Sequence, residues 1–273
     1  MNTYYKVLSI AGSDSSGGAG IQADIKAISA IGAYAMTAIT ALTAQNTTEV
    51  HSVLAATPES VSDQIITTCN DIRPDAVKTG MLVNSSIVRA VAQCIRELKL
   101  PNVVVDPVMV STSGYSLIDD EAVETLKTEL FPLAAIITPN KPEAELLACR
   151  KLDCTQTVLD TGYELAARFG CAVLIKGGHF EGDVITDFLF CNGTHHLLHA
   201  PKINTANTHG TGCTLSSAIA SYLALGNDMV QAVGLAKQYL SQALEAGASI
   251  SIGHGHGPVN HLHNPQKIII SSK

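Results

Sequence analysis

Apolar positions along the chain alternate between two rhythms: short β-branched runs, and longer stretches in which they recur every three or four residues. Residues 6–11 form a buried-type run that stops at Gly12, Ser13 and Asp14. Ile21, Ile25, Ile28 and Ile31 then fall on one face of a helix. Val50–Ala55 reads as a strand, and Thr57 with Pro58 starts a helix carrying Val61, Ile65, Cys69 and Ile72 on one side. A short strand at 76–78 precedes the helical set Ile87, Val91, Ile95 and Leu98. Val103, Val104 and Val105 have the unbroken apolar character of a strand buried on both faces, halted by Asp106-Pro107.

The alternation continues with a helix through Val123, Leu126 and Leu130, a strand at 135–138, a short helix after Pro142, a helix through Leu165 and Phe169, and a strand at Ala172–Ile175. Val184–Cys191, the Asn192-Gly193 turn and residues 195–203 then predict a β-hairpin. Helices beginning near Gly210 and Asp228 complete the pattern, while residues 267–273 carry no clear signal. Strands alternating with helices predict an α/β fold: a mostly parallel sheet with helices on both faces, plus a small hairpin or flap. No linker, repeat or shift of composition divides the 273 residues, so residues 1–273 are expected to form one domain.

Composition narrows the functions. Apolar residues make up 46% and charged residues 15%, which favours a large core and leaves room for a subunit interface. A net charge of -7 without a Lys/Arg cluster argues against nucleic acid and anionic membrane surfaces as partners. Any anionic ligand must therefore be met locally, by backbone N–H groups, a few cations or a metal. The apolar run at 35–44 is interrupted by Thr37, Thr40 and Thr43 and is too short to cross a bilayer. Seven cysteines without a CxxC pair fit a reducing, cytoplasmic location better than a disulfide framework, and no signal peptide is evident.

Ligands of open parallel sheets bind beyond the C-terminal strand ends. Six such ends here carry polar or glycine residues: Gly12-Ser13-Asp14, Lys78-Thr79-Gly80, Asp106, Asn140 with Glu143, Lys176-Gly177-Gly178, and Gly210 to Cys213. Gly17, Gly18 and Gly20 lack the spacing of a dinucleotide fingerprint, and no GxxxxGK[ST] segment exists. In residues 204–214 (NTANTHGTGCT), small residues stand directly before an apolar helix, whose free N–H groups and dipole suit a phosphate. The same dipole predicts a lowered pKa for Cys213. Asp106, Asn140 and Glu143 could order hydrated Mg²⁺ and a triphosphate, although Asn140-Lys141-Pro142-Glu143 reads equally well as a capped helix start. His254, His256, His261 and His263 crowd a glycine-rich segment, where an irregular loop is the simpler reading than a metal site.

Taken in order, SIAGSDSSGGAGIQADIKA, TALTAQNT, VKTGML, VVVDPVM, TPNKPEAELL, VLIKGGH, NTHGTGCTLSSAIA and GHGPVNH resemble the hydroxymethylpyrimidine/phosphomethylpyrimidine kinase branch of the ribokinase superfamily. The resemblance runs from about residue 8 to 261 and implies a ribokinase-like fold. It also implies transfer of phosphoryl groups from ATP, with Mg²⁺, to the hydroxymethyl group of an aminopyrimidine and then to its monophosphate, commonly by a homodimer. Gly210, Thr211 and Gly212 would form the anion hole, and Cys213 would replace the aspartate base of most relatives. Asp106 and Glu143 would serve the metal, and Asn140, Lys176 and Thr208 the nucleotide. Gly12, Asp24, Gln45 and Met81 would surround the heterocycle. The amide of Gln45 offers an acceptor and a donor matching the amino group and ring nitrogen of an aminopyrimidine, and Met81 offers an adaptable contact for a flat ring. Pyridoxal kinases share most of these motifs and supply the alternative reading. A nicotinamide-dependent dehydrogenase has only the α/β rhythm in its favour. An idle nucleotide-binding module is at odds with the intact Gly210 to Cys213 segment, Asp106 and Lys176.

Overall fold

The structure, a computed structural model, describes residues 2–109, 118–179 and 182–272. In chain order its elements are β1 (Asn2–Tyr4), β2 (Lys6–Asp14), α1 (Gly20–Ile31), β3 (Tyr34–Gln45), β4 (Val50–Ala55), α2 (Pro58–Asp71), β5 (Ala76–Thr79), α3 (Ser85–Glu97) and β6 (Val103–Val105). There follow α4 (Asp120–Thr125), β7 (Ile136–Ile137), α5 (Lys141–Ala148), α6 (Thr155–Phe169), β8 (Ala172–Ile175), β9 (Val184–Cys191), β10 (Thr194–Pro201), α7 (Thr211–Ala224), α8 (Met229–Gly247) and β11 (Ile270–Ser272).

Nine strands form one sheet in the order β10-β9-β8-β7-β6-β5-β2-β3-β4. From β8 through β3 neighbouring strands are parallel. At the edges β9, β10 and β4 add antiparallel pairs. Successive side chains of a strand point to opposite faces, so the central runs feed two cores at once. Val77, Val103, Val105, Ile137, Val173 and Ile175 pack with α2, α3, α5 and α6. Ala76, Val104, Ile136 and Leu174 pack with α1, α7 and α8 on the other face. Each fully buried Val or Ile contributes on the order of 1.5–3 kcal/mol, which explains why these strands need no polar face.

Most expected elements are present, with four differences. The first strand runs three residues further, to Asp14, and so carries Gly12 to the sheet's functional edge. The apolar run at 35–44 lies within β3, where its threonines alternate with buried Met36, Ala38 and Ala41. The helix expected through Leu130 loses its α-helical register after Thr125, widening to a π turn at Leu126–Leu130 and tightening to a 3₁₀ turn at Phe131–Leu133 around Pro132. Finally, the hairpin of β9 and β10 extends the central sheet itself. Its turn has positive φ at Asn192 (51°) and Gly193 (74°), the geometry a two-residue connection needs. Ile270–Ser272 of the unassigned tail pairs with β1 in a separate two-stranded ribbon; Lys273 lies outside the described residues.

Candidate active site

The C-terminal ends of β2, β5, β6, β7 and β8 and the N-terminus of α7 converge on one edge of the sheet. Gly210 is the N-cap of α7 with φ 77°, and no side chain caps this helix. A side chain at Gly210 would be strained by that φ and would run into the Gly18 carbonyl, so the anion-hole loop and the first glycine loop meet backbone to backbone. Helices α2, α3, α4, α5 and α8, in contrast, are each capped by Thr57, Asn84, Asp119, Asn140 or Asp228. Apart from the Thr211 N–H, which the Thr208 carbonyl accepts at 3.3 Å, the first amides of α7 have no capping side chain and are open to a ligand anion.

Around this helix end, Asp106 closes β6 and accepts Lys176 Nζ at 3.0 Å and Thr138 Oγ1 at 3.2 Å. A Cβ placed on Gly212 would lie 3.3 Å from Asp106 Oδ2 and 3.5 Å from Lys176 Nζ, so both charges adjoin the helix N-terminus. Asn140 and Glu143 form a capping box: Asn140 Oδ1 accepts the Glu143 N–H at 2.9 Å, and Glu143 Oε2 accepts the Asn140 N–H at 2.8 Å. Glu143 is 4% exposed. Burial pushes its carboxyl up to about 7; Lys176 opposes this and Asp106 adds to it. Burial also works against the Lys176 ammonium, but Asp106 and Glu143 outweigh it and raise its pKa. Thr208 is half-buried one turn upstream, and its carbonyl accepts the Thr211 N–H at 3.3 Å.

Within β2, Gly12 adjoins Met81: a Cβ on Gly12 would lie 2.5 Å from Met81 Cε. Gln45, at the end of β3, receives Thr43 Oγ1 on its amide oxygen at 3.2 Å, and its Nε2 stands 3.5 Å from His209 Nε2. Gly12 thus adjoins Met81, and Gln45 adjoins His209.

Two expectations are corrected. Asp24, expected beside the heterocycle, is 0% exposed and pairs with Lys78, also 0% exposed, at 2.8 Å. Its remaining capacity is taken by Ser9 Oγ at 2.5 Å and Ser217 Oγ at 2.7 Å, so it anchors α1, β5 and α7 beneath the site. Cys213, expected to be acidic because of the helix dipole, has its thiol pushed up to about 11 by burial. Lys78 pulls it down, but Asp24 and Asp106 offset that cation. The Gly20 N–H points at the Cys213 sulfur, so α1 and α7 meet there.

Sequence reasoning missed a second side-chain pair. His209 Nε2 lies 2.9 Å from Asp14 Oδ2. Asp14 also accepts the N–H groups of Ser16, Gly18 and Ala19. Burial works to raise the Asp14 carboxyl, but the hydrogen bonds from His209, Ser16 and Ala19 win and hold it well below the usual carboxylate range. Both residues stood in segments already singled out, yet no spacing rule joins positions 195 apart. The histidine-rich segment proves to be a strap. His256 N–H reaches Thr47 O at 3.0 Å, and the Gly257 carbonyl accepts the His209 N–H at 3.1 Å. Only His261 of that set is buried, with Nε2 3.0 Å from Thr214 Oγ1. Among the described residues no three His, Cys, Asp or Glu side chains converge as metal ligands.

The family model for phosphomethylpyrimidine kinase matches residues 14–260. The chain belongs to this family. It is 46% identical over 259 residues to the hydroxymethylpyrimidine/phosphomethylpyrimidine kinase of Bacillus subtilis, covering 94% of this chain and 95% of that one. The Escherichia coli protein of the same name is 46% identical over 258 residues, covering 94% and 97%. The thiamine biosynthesis bifunctional protein ThiED of Geobacter sulfurreducens is 44% identical over 256 residues, but this chain spans only 52% of its length. Among solved structures, phosphomethylpyrimidine kinase from Clostridium difficile superposes with TM-score 0.79 at 44% identity, covering 88% of this chain and 99% of that one. Bacillus subtilis pyridoxal kinase in its ADP complex gives TM-score 0.87 at 35% identity, covering 95% and 98%. The ribokinase-like α/β architecture is thus shared with both kinases of the phosphomethylpyrimidine kinase family and pyridoxal kinases.

Proposed function

We propose that the chain transfers the terminal phosphoryl group of ATP to 4-amino-5-hydroxymethyl-2-methylpyrimidine, and then a second one to the monophosphate so formed. The observation that carries this reading is the uncapped N-terminus of α7 with Asp106 and Lys176 beside it, and with Gln45 next to His209, the residue before the Gly210 cap. A phosphoryl group between a nucleotide and a flat-ring alcohol needs positioning and charge stabilisation more than covalent help. Amides of Gly210, Thr211 and Gly212 meet the transferred group. Lys176 and Asn140 orient the nucleotide phosphates, with Thr208 behind them, and Gln45 reads the amino group and ring nitrogen of the pyrimidine. Cys213 stands where the alcohol's proton must leave. Only the thiolate form can take that proton, and because burial pushes the thiol up to about 11, the thiolate is a small fraction at neutral pH.

The oxygen donors of Asp106 and Glu143 fit Mg²⁺, since Asp106 adds to the rise of the buried Glu143 carboxyl and a hard cation would relieve that repulsion. When bound there, the ion supplies charge neutralisation for the triphosphate. The solved Staphylococcus aureus pyridoxal kinase complexes with AMP-PCP and ADP support the nucleotide assignment. A homodimer in the cytoplasm completes the reading; no helix among the described residues is long and apolar enough to cross a membrane.

Pyridoxal is the second substrate reading, favoured by the higher TM-score to pyridoxal kinase, 0.87 against 0.79. The test is product identification by mass spectrometry after incubation with ATP, Mg²⁺ and each alcohol. The pyrimidine should gain one and then two phosphoryl groups. Phosphorylation of pyridoxal alone would transfer the assignment to the second reading.

A further inference from the structure

Asp187 on β9 and Lys237 on α8 form an ion pair that the phosphoryl-transfer chemistry leaves unused. Their side chains are 8% and 9% exposed, and Lys237 Nζ lies 2.6 Å from Asp187 Oδ2. Oδ1 of Asp187 accepts the Gly177 N–H, also at 2.6 Å. Gly177 directly follows Lys176, whose own N–H is held by the Pro139 carbonyl at 2.9 Å and whose Nζ reaches Asp106. Lys176 is therefore clamped between the strand end of β7 on one side and the Asp187 carboxylate on the other. Replacing a buried ion pair by apolar residues is often neutral for stability, so stability alone gives little reason for a charged pair here. What the pair does supply is geometry: one oxygen fixes the turn after Lys176, and the other ties that turn to α8, which packs along α7.

We infer that Asp187 is a positioning residue for the nucleotide, held in place by Lys237, and that it acts by fixing the Gly177 amide and so the reach of Lys176. This rests on the reading that Lys176 meets the ATP phosphates. Steady-state kinetics of the Asp187→Leu/Lys237→Met double variant, in which neither charge is left unpaired, provide the test. Loss of the charge-assisted hydrogen bond should raise KM for ATP about tenfold, with KM for the alcohol unchanged. Asp187→Asn retains an oxygen acceptor for the Gly177 N–H and should keep KM for ATP within about threefold of wild type. A folded double variant with wild-type KM for ATP overturns the inference. Lys176→Ala, run alongside, separates the two claims: if it leaves KM for ATP unchanged, the reading of Lys176 has failed instead. Should the double variant not fold, hydrogen exchange at the Gly177 amide of the wild type decides. Protection equal to that of β8 supports the clamp, and exchange at the rate of an exposed loop overturns it.

Discussion

At the scale of single residues, the most consequential result is the protonation of Cys213. Its residue type and its place in the first turn of α7 were plain from the sequence. Its surroundings were not, because burial against Lys78, Asp24 and Asp106 arises from residues far apart in the chain. A helix terminus lowers a thiol's pKa, but removing the thiol from water outweighs that effect here. The consequence has a definite sign. With the thiol's pKa at about 11, the thiolate fraction is small at pH 7 and grows with each step toward alkaline pH. If Cys213 takes the alcohol's proton, the single-turnover rate should climb steadily between about pH 7 and 10, and Cys213→Ala should lower it by roughly 10²-fold and flatten the slope. A flat wild-type profile over that range, or an alanine variant as fast as wild type, would leave Cys213 as a packed small residue. Asp24 teaches the same lesson: its motif position suggested a ligand contact, while the fold gives it Lys78, Ser9 and Ser217.

At the scale of elements, the periodicities were sufficient where a segment is governed by its own sequence. Strand β6 and helices α2 and α3 follow directly from their apolar spacing, and the hairpin turn from Asn192-Gly193. They were insufficient where tertiary contacts decide, as in β3, whose threonines look unlike a buried strand until β2 lies beside it. The strap at 253–258 is a second case, since its glycines answer to Thr47 and Asn207 and to no local rule. Its extension brings His261 against Thr214 on α7, where burial lowers the imidazole's pKa to about 4 from its ordinary 6.5. The unfolded chain therefore takes up this proton first as pH falls. Stability contributed by the neutral imidazole is complete above about pH 6.5 and is lost progressively toward pH 4. Urea denaturation at a series of pH values should show that decline, and His261→Gln should make it shallower. An identical slope in both proteins would assign the acid sensitivity to other groups.

At the scale of the whole molecule, five strand ends and the start of α7 gathered on one edge of a parallel sheet make the site's location legible from the sequence. The pairing of its polar side chains is not, because Asp14 with His209 and Asp106 with Lys176 are joined only by the chain's path through the sheet. The opposite edge strand, β4, leaves Leu54 69% exposed beside Leu42 at 52%, an apolar surface that suits a second copy of the chain. Sedimentation should report a particle of twice 28.6 kDa, and Leu54→Lys should shift it toward the monomer; a wild-type monomer at micromolar concentration would remove the dimer from the account. The central claim is that phosphoryl transfer occurs at the uncapped end of α7 between nucleotide and pyrimidine. It is tested most directly by a crystal structure with ADP, Mg²⁺, aluminium fluoride and the pyrimidine alcohol. The account predicts the fluoride on the amides of Gly210, Thr211 and Gly212, the alcohol oxygen in line with it, and the ring's amino group on Gln45. Fluoride bound away from those amides, or a ring turned from Gln45 with its alcohol out of line, would contradict it.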